Sequence, residues 1–474
     1  MSRTVQRIIG GMRSRDVSAH RVASRGADSQ FMRTHNYLLV LDCVRDVGPI
    51  ARANISRQTG LSRTTVGAII DALLADGLVR EGATQSTSSA GGRPGTLVHF
   101  NARAGYVIGV DMGRSHFTML LADLASQAVA RRSGPLRTDQ GPTICLELLV
   151  AELNTLLNEQ GIEWSQVVGL SVGMPGPLDR RLHRLISPPR MPGWDGVEVQ
   201  RILRRQLSAP VYVENDANLG ALGESRYGAG RDVSHLAYIK IGTGIGAGLV
   251  IDGQVYRGSS GAAGEIGHVT IREGGPLCSC GNRGCLESVA GADAVVANAQ
   301  AMFAVHGGVP ETALVTSAFS KLTSPDIADV VQAALEGDVS CRLAIEHAGE
   351  HIGIALAILV NLVSPSVILV DGAVTRAGDL LLEPIRRAVS TRSLTMAARH
   401  TRVANGELGD NAIAMGGVAS VLDAAFAPSA WFTPSVGLRE SSPKVSACDA
   451  SNHGALHGEF SPLIRGRQRK LHLH

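Results

Sequence analysis

The chain has 474 residues, 44% of them hydrophobic and 18% charged, with a formal net charge of +3. That length allows two or more domains with ample core, and the hydrophobic content is that of a soluble globular protein rather than a disordered one. No segment reads as an uninterrupted apolar span, the N-terminus lacks an apolar signal core, and Cys43, Cys145, Cys341 and Cys448 show no disulfide framework, so a cytoplasmic protein with no membrane partner is expected.

The charge is unevenly spread. Residues 1–100 carry thirteen Arg and no Lys against seven acids, so a basic front precedes a slightly acidic body. Such an asymmetry points to a nucleic-acid-binding module joined to something else.

Residues 1–30 hold Arg3, Arg7, Arg13, Arg15, Arg21 and Arg25 among Ser, Gly and Ala with no sustained period, and read as a disordered basic arm. From Phe31 the pattern changes. Tyr37, Leu38, Leu41 and Val44 recur at helical spacing until Gly48 and Pro49, and a second helix covers Ala51 to Thr59. Gly60-Leu61-Ser62 is a tight turn with Ser62 as N-cap of a third helix, Arg63 to Ala75, whose Val66, Ile69, Ile70, Leu73 and Leu74 face inward. This is helix-turn-helix spacing, with Arg63, Thr64 and Thr65 at the turn that meets base edges; an ordinary helical hairpin is the plainer alternative. Strands at Leu78 to Arg80 and Leu97 to Phe100 flank Gly91-Gly92-Arg93-Pro94, a wing whose Arg93 can enter a minor groove or clamp a phosphate. Residues 31–100 therefore read as a winged helix-turn-helix domain for operator DNA.

Beyond Asn101 the pattern is α/β. A strand at Tyr106 to Val110 runs into Asp111-Met112-Gly113-Arg114-Ser115, and a returning strand holds Thr118 to Ala122. After a helix near Thr143 to Gln160 and a strand at Val167 to Val172, Val211 to Val213 leads into Glu214-Asn215-Asp216-Ala217-Asn218. That places an amide and a carboxylate at a strand end, where α/β folds collect ligand groups. Asp216 there suits a base toward a sugar hydroxyl and Asn215 suits holding that hydroxyl, although the segment alone reads equally as a polar loop. Tyr238 to Ile241 then enters Gly242-Thr243-Gly244-Ile245-Gly246, whose backbone amides can approach phosphate oxygens. One glycine run also serves a plain tight turn. Two such turns, each after a leading strand, make the pair expected of an actin-like ATPase fold.

The stretch from Gly264 to Ser288 reads as a metal knot beside a polar pocket. Cys278, Cys280 and Cys285 with His268 form a tetrahedral donor set suited to structural zinc, against the plainer reading of three buried thiols and a core histidine. Closing the loop on a metal puts Glu265, Glu287 and His268 on one wall, where vicinal sugar hydroxyls find fixed acceptors.

Taken together, the ENDAN segment, the GTGIGAG loop, the GEIGH segment and the C-x-C-G-x-x-G-C-x-E knot resemble the ROK family of repressors, open reading frames and sugar kinases, over roughly residues 31–425. The resemblance implies a two-lobed, actin-like (ribonuclease-H-like) sugar-binding domain over residues 101–426. It implies sugar contacts by Asn215, Asp216, Glu265, His268 and Glu287, and zinc held by His268, Cys278, Cys280 and Cys285. The front module is similar to that of the repressor branch, down to the GGRP wing. Departures lie on the nucleotide side, where Asp111, Gly113, Ser115, Gly242, Thr243, Gly244 and Gly246 would meet ATP. Arg114 stands where the family's kinases have glycine, Asp371 follows a strand where they have paired glycine, and Arg190 stands at a usual Asn.

Residues 427–474, rich in Ser, Pro and Gly with a basic end, read as a disordered tail. The expectation is a sugar-responsive regulator acting as a homodimer or homotetramer. The alternatives are an ATP-dependent, glucokinase-like sugar kinase with Asp216 as base, carrying an attached DNA-binding domain, and a scaffold that has lost both ligands.

Overall fold

A computed structural model of the chain describes residues 29–84, 96–179, 184–186, 188, 190–306 and 324–426. The arm expected over residues 1–30, save its last two, the wing tip with Arg93 and the tail over 427–474 lie outside the described residues.

The front module opens with a helix over Ser29–Val47, followed by strand β1 (Ile50–Ala51) and helices Arg52–Thr59 and Arg63–Ala75. Gly60 takes φ 70° between the two helices, a left-handed conformation that glycine adopts without penalty. The Ser62 side chain accepts from the Thr65 amide at 3.1 Å, which is the expected N-cap. Val66, Ile70 and Leu73 are buried, while Ile69 and Leu74 are half-buried. Strands β2 (Val79–Thr84) and β3 (Thr96–Phe100) pair antiparallel, and β1 adds to the free edge of β3, giving the order β1-β3-β2. The two-residue β1 is absent from the sequence reading because a pair this short has no period to detect.

The body holds two five-stranded sheets of the same design. The first uses β4 (Tyr106–Met112), β5 (His116–Asp123), β6 (Ala128–Pro135), β7 (Val167–Met174) and β10 (Val211–Asn215), in the order β10-β7-β4-β5-β6. A small hairpin of β8 (Leu178–Asp179) and β9 (Arg184–Leu185) lies beyond β7. The second sheet uses β11 (Leu236–Ile241), β12 (Ile245–Ile251), β13 (Gln254–Tyr256), β14 (Val367–Asp371) and β15 (Arg402–Asn405), in the order β13-β12-β11-β14-β15. In each sheet the first three strands form an antiparallel meander and the last two run parallel to the first, so the two lobes repeat one topology. This is the actin-like ATPase fold.

Helices Pro142–Glu159 and Val199–Gln206 cover one face of the first sheet, and Ile327–Leu335, Val339–Val363 and Asp379–Arg392 cover one face of the second. Between the sheets, helix Asp216–Tyr227 packs against the last helix, Ala412–Phe426. Their crossing requires glycine. A Cβ on Gly416 would lie 1.8 Å from the Leu219 carbonyl oxygen, and one on Gly223 would lie 2.2 Å from that of Ala412.

One helix among the described residues, Val339–Val363, is long and apolar enough to cross a membrane, where the sequence suggested none. Its Ala344, Ile345, Ile352, Leu356 and Val360 are buried against the second sheet, so that apolar surface is already spent in a core. The last helix also joins the front module to the body. Val418, Leu422 and Phe426 share one apolar cluster with Tyr37, Leu41 and Val44, and the Arg45 guanidinium lies 5.1 Å from the Phe426 ring centre.

Candidate functional site

A cleft of about 330 Å³ opens where the leading strands of both sheets end, a volume in the range of small-ligand sites. The structure brings to its lining Asn215, Asp216, Glu265, His268 and Glu287, together with Asp111, Gly113, Ser115, Gly242, Thr243, Gly244 and Gly246. These residues come from five separated segments, so the twofold repeat of the fold is what makes them neighbours.

Asp216 begins its helix at the end of β10 and is buried. Its Oδ1 accepts from the Ala217 amide at 2.8 Å, and its Oδ2 accepts from the Lys240 ammonium at 2.7 Å. Lys240, on β11 just ahead of the glycine loop, was missed by sequence reasoning. Its pKa is raised: burial acts to lower it, but Asp216, Asp111 and Asp371 around the ammonium more than offset this. Buried Asp111 is held below the ordinary carboxylate value, because Lys240 and His116 together outweigh its own burial. Its Oδ2 lies 3.4 Å from His116 Nε2, and its Oδ1 is buried with no hydrogen-bond partner.

Asn215 is the N-cap of the same helix. Its Oδ1 accepts from the Asn218 amide at 3.1 Å and its Nδ2 donates to the Gly176 carbonyl at 3.1 Å, so both ends of the amide are committed to the scaffold. Its place in the cleft is thus structural first, a duty that sequence reasoning did not foresee.

The opposite wall is the knot. The His268 ring nitrogens and the Cys278, Cys280 and Cys285 sulfurs bring four ligand atoms within 4.8 Å of one another, a group able to hold a metal ion. His268 faces both ways: Nδ1 lies 3.6 Å from Cys278 Sγ, and Nε2 lies 3.9 Å from Glu265 Oε2. Glu287 is buried, accepts from Ser279 Oγ at 3.4 Å, and presses its carboxylate against the glycine loop, 2.7 Å from where a Cβ on Gly244 would stand. Burial first, then the charges of Asp216 and Glu287, pushes Glu265 up to about 7. Three carboxylates and an imidazole thus converge on one small volume, the chemistry that fits several hydroxyls at fixed directions.

The departures on the nucleotide side are placed as follows. Arg114 is half-buried and lines the cleft. Asp371 does not project freely: it accepts from Tyr238 Oη at 2.8 Å and sits near Lys240, with its pKa raised chiefly by burial. Arg190 forms an ion pair with Asp293. The Gly242 amide donates to the Gly244 carbonyl at 2.8 Å, closing the loop on itself.

In the front module Arg63 and Thr64 are exposed at the first turn of their helix, while the Thr65 hydroxyl lies 2.8 Å from Ser62 Oγ and belongs to the cap. Arg52 at the head of the preceding helix is tied to Asp71 and Glu81, both at 2.9 Å, which locks helix to helix and helix to β2.

The family model described as ROK family matches residues 107–424. The xylose repressor of Caldicellulosiruptor bescii is 31% identical over 387 residues, covering 82% of this chain and 95% of that protein. A solved ROK family transcriptional regulator, described as a homologue of the E. coli MLC protein, aligns with TM-score 0.70 at 25% identity, covering 85% of this chain and 98% of its own. A ROK family glucokinase from Streptomyces griseus, solved with glucose and AMPPNP, aligns with TM-score 0.56 at 27% identity, covering 98% of itself but 66% of this chain. By the length of the match and by these relatives, the chain belongs to the ROK family.

Proposed function

We propose that this protein is a sugar-responsive transcriptional repressor. Residues 31–100 bind operator DNA, and the cleft between the lobes binds a carbohydrate that changes the affinity for that DNA. The observation that carries the reading is the Lys240–Asp216 ion pair at 2.7 Å. A kinase needs the carboxylate at this position free to take a hydroxyl proton, and needs room beside it for a metal-bound triphosphate. Here the negative charge is already balanced by an ammonium set among Asp216, Asp111 and Asp371. That arrangement leaves hydroxyl binding possible and opposes proton transfer to Asp216. The similarity to a xylose repressor over 82% of the chain supports the same reading.

Zinc suits the knot. For a tetrahedral ion with Zn–S of about 2.3 Å the sulfur–sulfur edge is about 3.8 Å, and Cys280 Sγ lies 3.7 Å from Cys285 Sγ. Bound there, the ion supplies structural closure, while His268 and the turn of Cys278 to Cys285 hold Glu265 and Glu287 in place. A single winged helix covers a short half-site, so two copies related by a dyad, as a homodimer or homotetramer, meet an operator, and DNA as partner puts the protein in the cytoplasm. One observation favours the sugar-kinase alternative: the buried Asp111 Oδ1 has no partner, as an oxygen awaiting a metal would.

The reading is tested by fluorescence anisotropy with the full-length protein and DNA from upstream of its own coding sequence. Sugars are first screened by calorimetry without ATP. The affinity for DNA is expected to change at least severalfold with a bound sugar; if no sugar that binds alters it, the reading fails.

A further inference from the structure

Arg114 is a charged group of the cleft that forms no ion pair among the described residues. The cleft's cations divide cleanly. Lys240 is ringed by Asp216, Asp111 and Asp371, whereas Arg114 lies within reach of Arg190, Asp293 and Glu287. Of these, Asp293 is already paired with Arg190, and Glu287 accepts from Ser279. The Arg114 guanidinium has no ion-pair or hydrogen-bond partner among the described residues, and its half-buried side chain lines the ligand volume. A guanidinium carries five donors in a rigid fork that matches a carboxylate or phosphate in two bonds. Left without an anion while partly desolvated and facing a second arginine, it is at a disadvantage that a bound anion removes.

We propose that the effector is an anionic sugar, a monosaccharide carrying a phosphate ester or a carboxylate, with Arg114 as the residue that selects for that group. Glu287, which lines the same cleft and forms no ion pair with Arg114, takes a sugar hydroxyl, so one ligand spans both. The Asp111, Asp216 and Asp371 carboxylates bear on Lys240, whereas the acids that bear on Arg114 are Asp293 and Glu287. The proposal rests on the sugar-sensing reading and deepens it.

The test is calorimetry on the full-length protein. It compares glucose with glucose 6-phosphate and glucuronate, and N-acetylglucosamine with its 6-phosphate, in wild type, Arg114→Gln and Arg114→Lys. At least one acidic form is expected to bind about ten- to a hundredfold tighter than its neutral parent, as charge-assisted bidentate bonds do. Arg114→Gln should erase that advantage and leave the neutral sugar within about twofold, with Arg114→Lys in between. The phosphate and carboxylate arms tell which anion is recognised. Equal binding of neutral and acidic forms, an advantage that persists in Arg114→Gln, or equal weakening of both forms by it overturns the proposal, as does an Arg114-dependent preference for ATP over every sugar. Neutral sugars that bind in wild type with no acidic form binding tighter sink the anionic subsite alone, whereas a wild type that binds no sugar sinks the sensing reading with it.

Discussion

Lys240 Nζ lies 2.7 Å from Asp216 Oδ2, joining the strand before the glycine loop to the head of the helix between the lobes. Asp216 is buried and Lys240 is half-buried at the cleft, with 22% of its side chain exposed, so the pair is partly shielded from water and sensitive to the loss of either partner. Removing one member of a fully buried pair costs about 3–5 kcal/mol, since the other is left uncompensated, and the solvent that reaches this pair at the cleft makes the cost here smaller.

Lys240→Met should therefore destabilise the protein, and the loss should depend on pH. In wild type the pKa of Asp111 is depressed, so its contribution is present above the unfolded value and is lost as pH falls. Without Lys240 the burial of Asp111 dominates and its folded pKa moves above the unfolded one. The folded variant then keeps a proton that the unfolded chain gives up, and its stability falls as pH rises through that window. Urea unfolding at a series of pH values from about 4.5 to 8 reads this. Parallel profiles for variant and wild type would show that Lys240 does not balance these carboxylates.

Much of the molecule is legible in the sequence where a local rule acts. The helix Arg63–Ala75 and its Ser62 cap follow from spacing and one hydroxyl, and the Cys and His quartet from chemistry that few other arrangements share. Lys240 was not legible. A lysine in an apolar strand carries no local mark of its partner, and only the repeat of the two lobes brings β11 against the Asp216 helix. The same holds for Asn215, whose cap and Gly176 contact look like a free polar group until the backbone is traced.

Protein prepared without chelator should carry about one zinc per chain, measured by elemental analysis. Cys285→Ser, at a fully buried ligand position, should lose the metal and weaken sugar binding, because His268 belongs to both the knot and the pocket wall. Full sugar affinity in protein stripped of metal would separate the two and end the idea that the knot sets the pocket.

For DNA, Arg63→Ala should cost about 1–3 kcal/mol at one base pair and little elsewhere. Ser62→Ala acts differently. It removes the cap accepted from Thr65 and should cost about 1 kcal/mol of stability while weakening all sequences alike. Replacing Arg93, which the sequence assigns to a wing and which lies outside the described residues, is expected to weaken binding evenly. Operator variants titrated against each mutant separate these patterns, and residues 101–474 binding the operator unaided would overturn the assignment to the front module.

Phosphoryl transfer should be absent or very slow even with a sugar that binds. The reaction depends on charge and positioning around the transferred group, and misplacement by about 1 Å costs roughly a hundredfold. Here the carboxylate that would take the proton holds Lys240, and the first loop offers Arg114 where a glycine would let amides approach. The opposing consideration is that Arg114 can itself neutralise a phosphate and Ser115 can donate a hydrogen bond to one. A coupled ATP assay on wild type and Asp216→Asn decides between them, using a sugar whose binding is already established by calorimetry. Turnover near 10 per second in wild type, an ordinary enzyme rate of about that size, and its loss in Asp216→Asn would make the protein a kinase with a DNA-binding module. No turnover in either, with binding weakened by Glu265→Ala, is the expected result, since hydroxyl recognition needs the carboxylates of the wall and not a free base at Asp216.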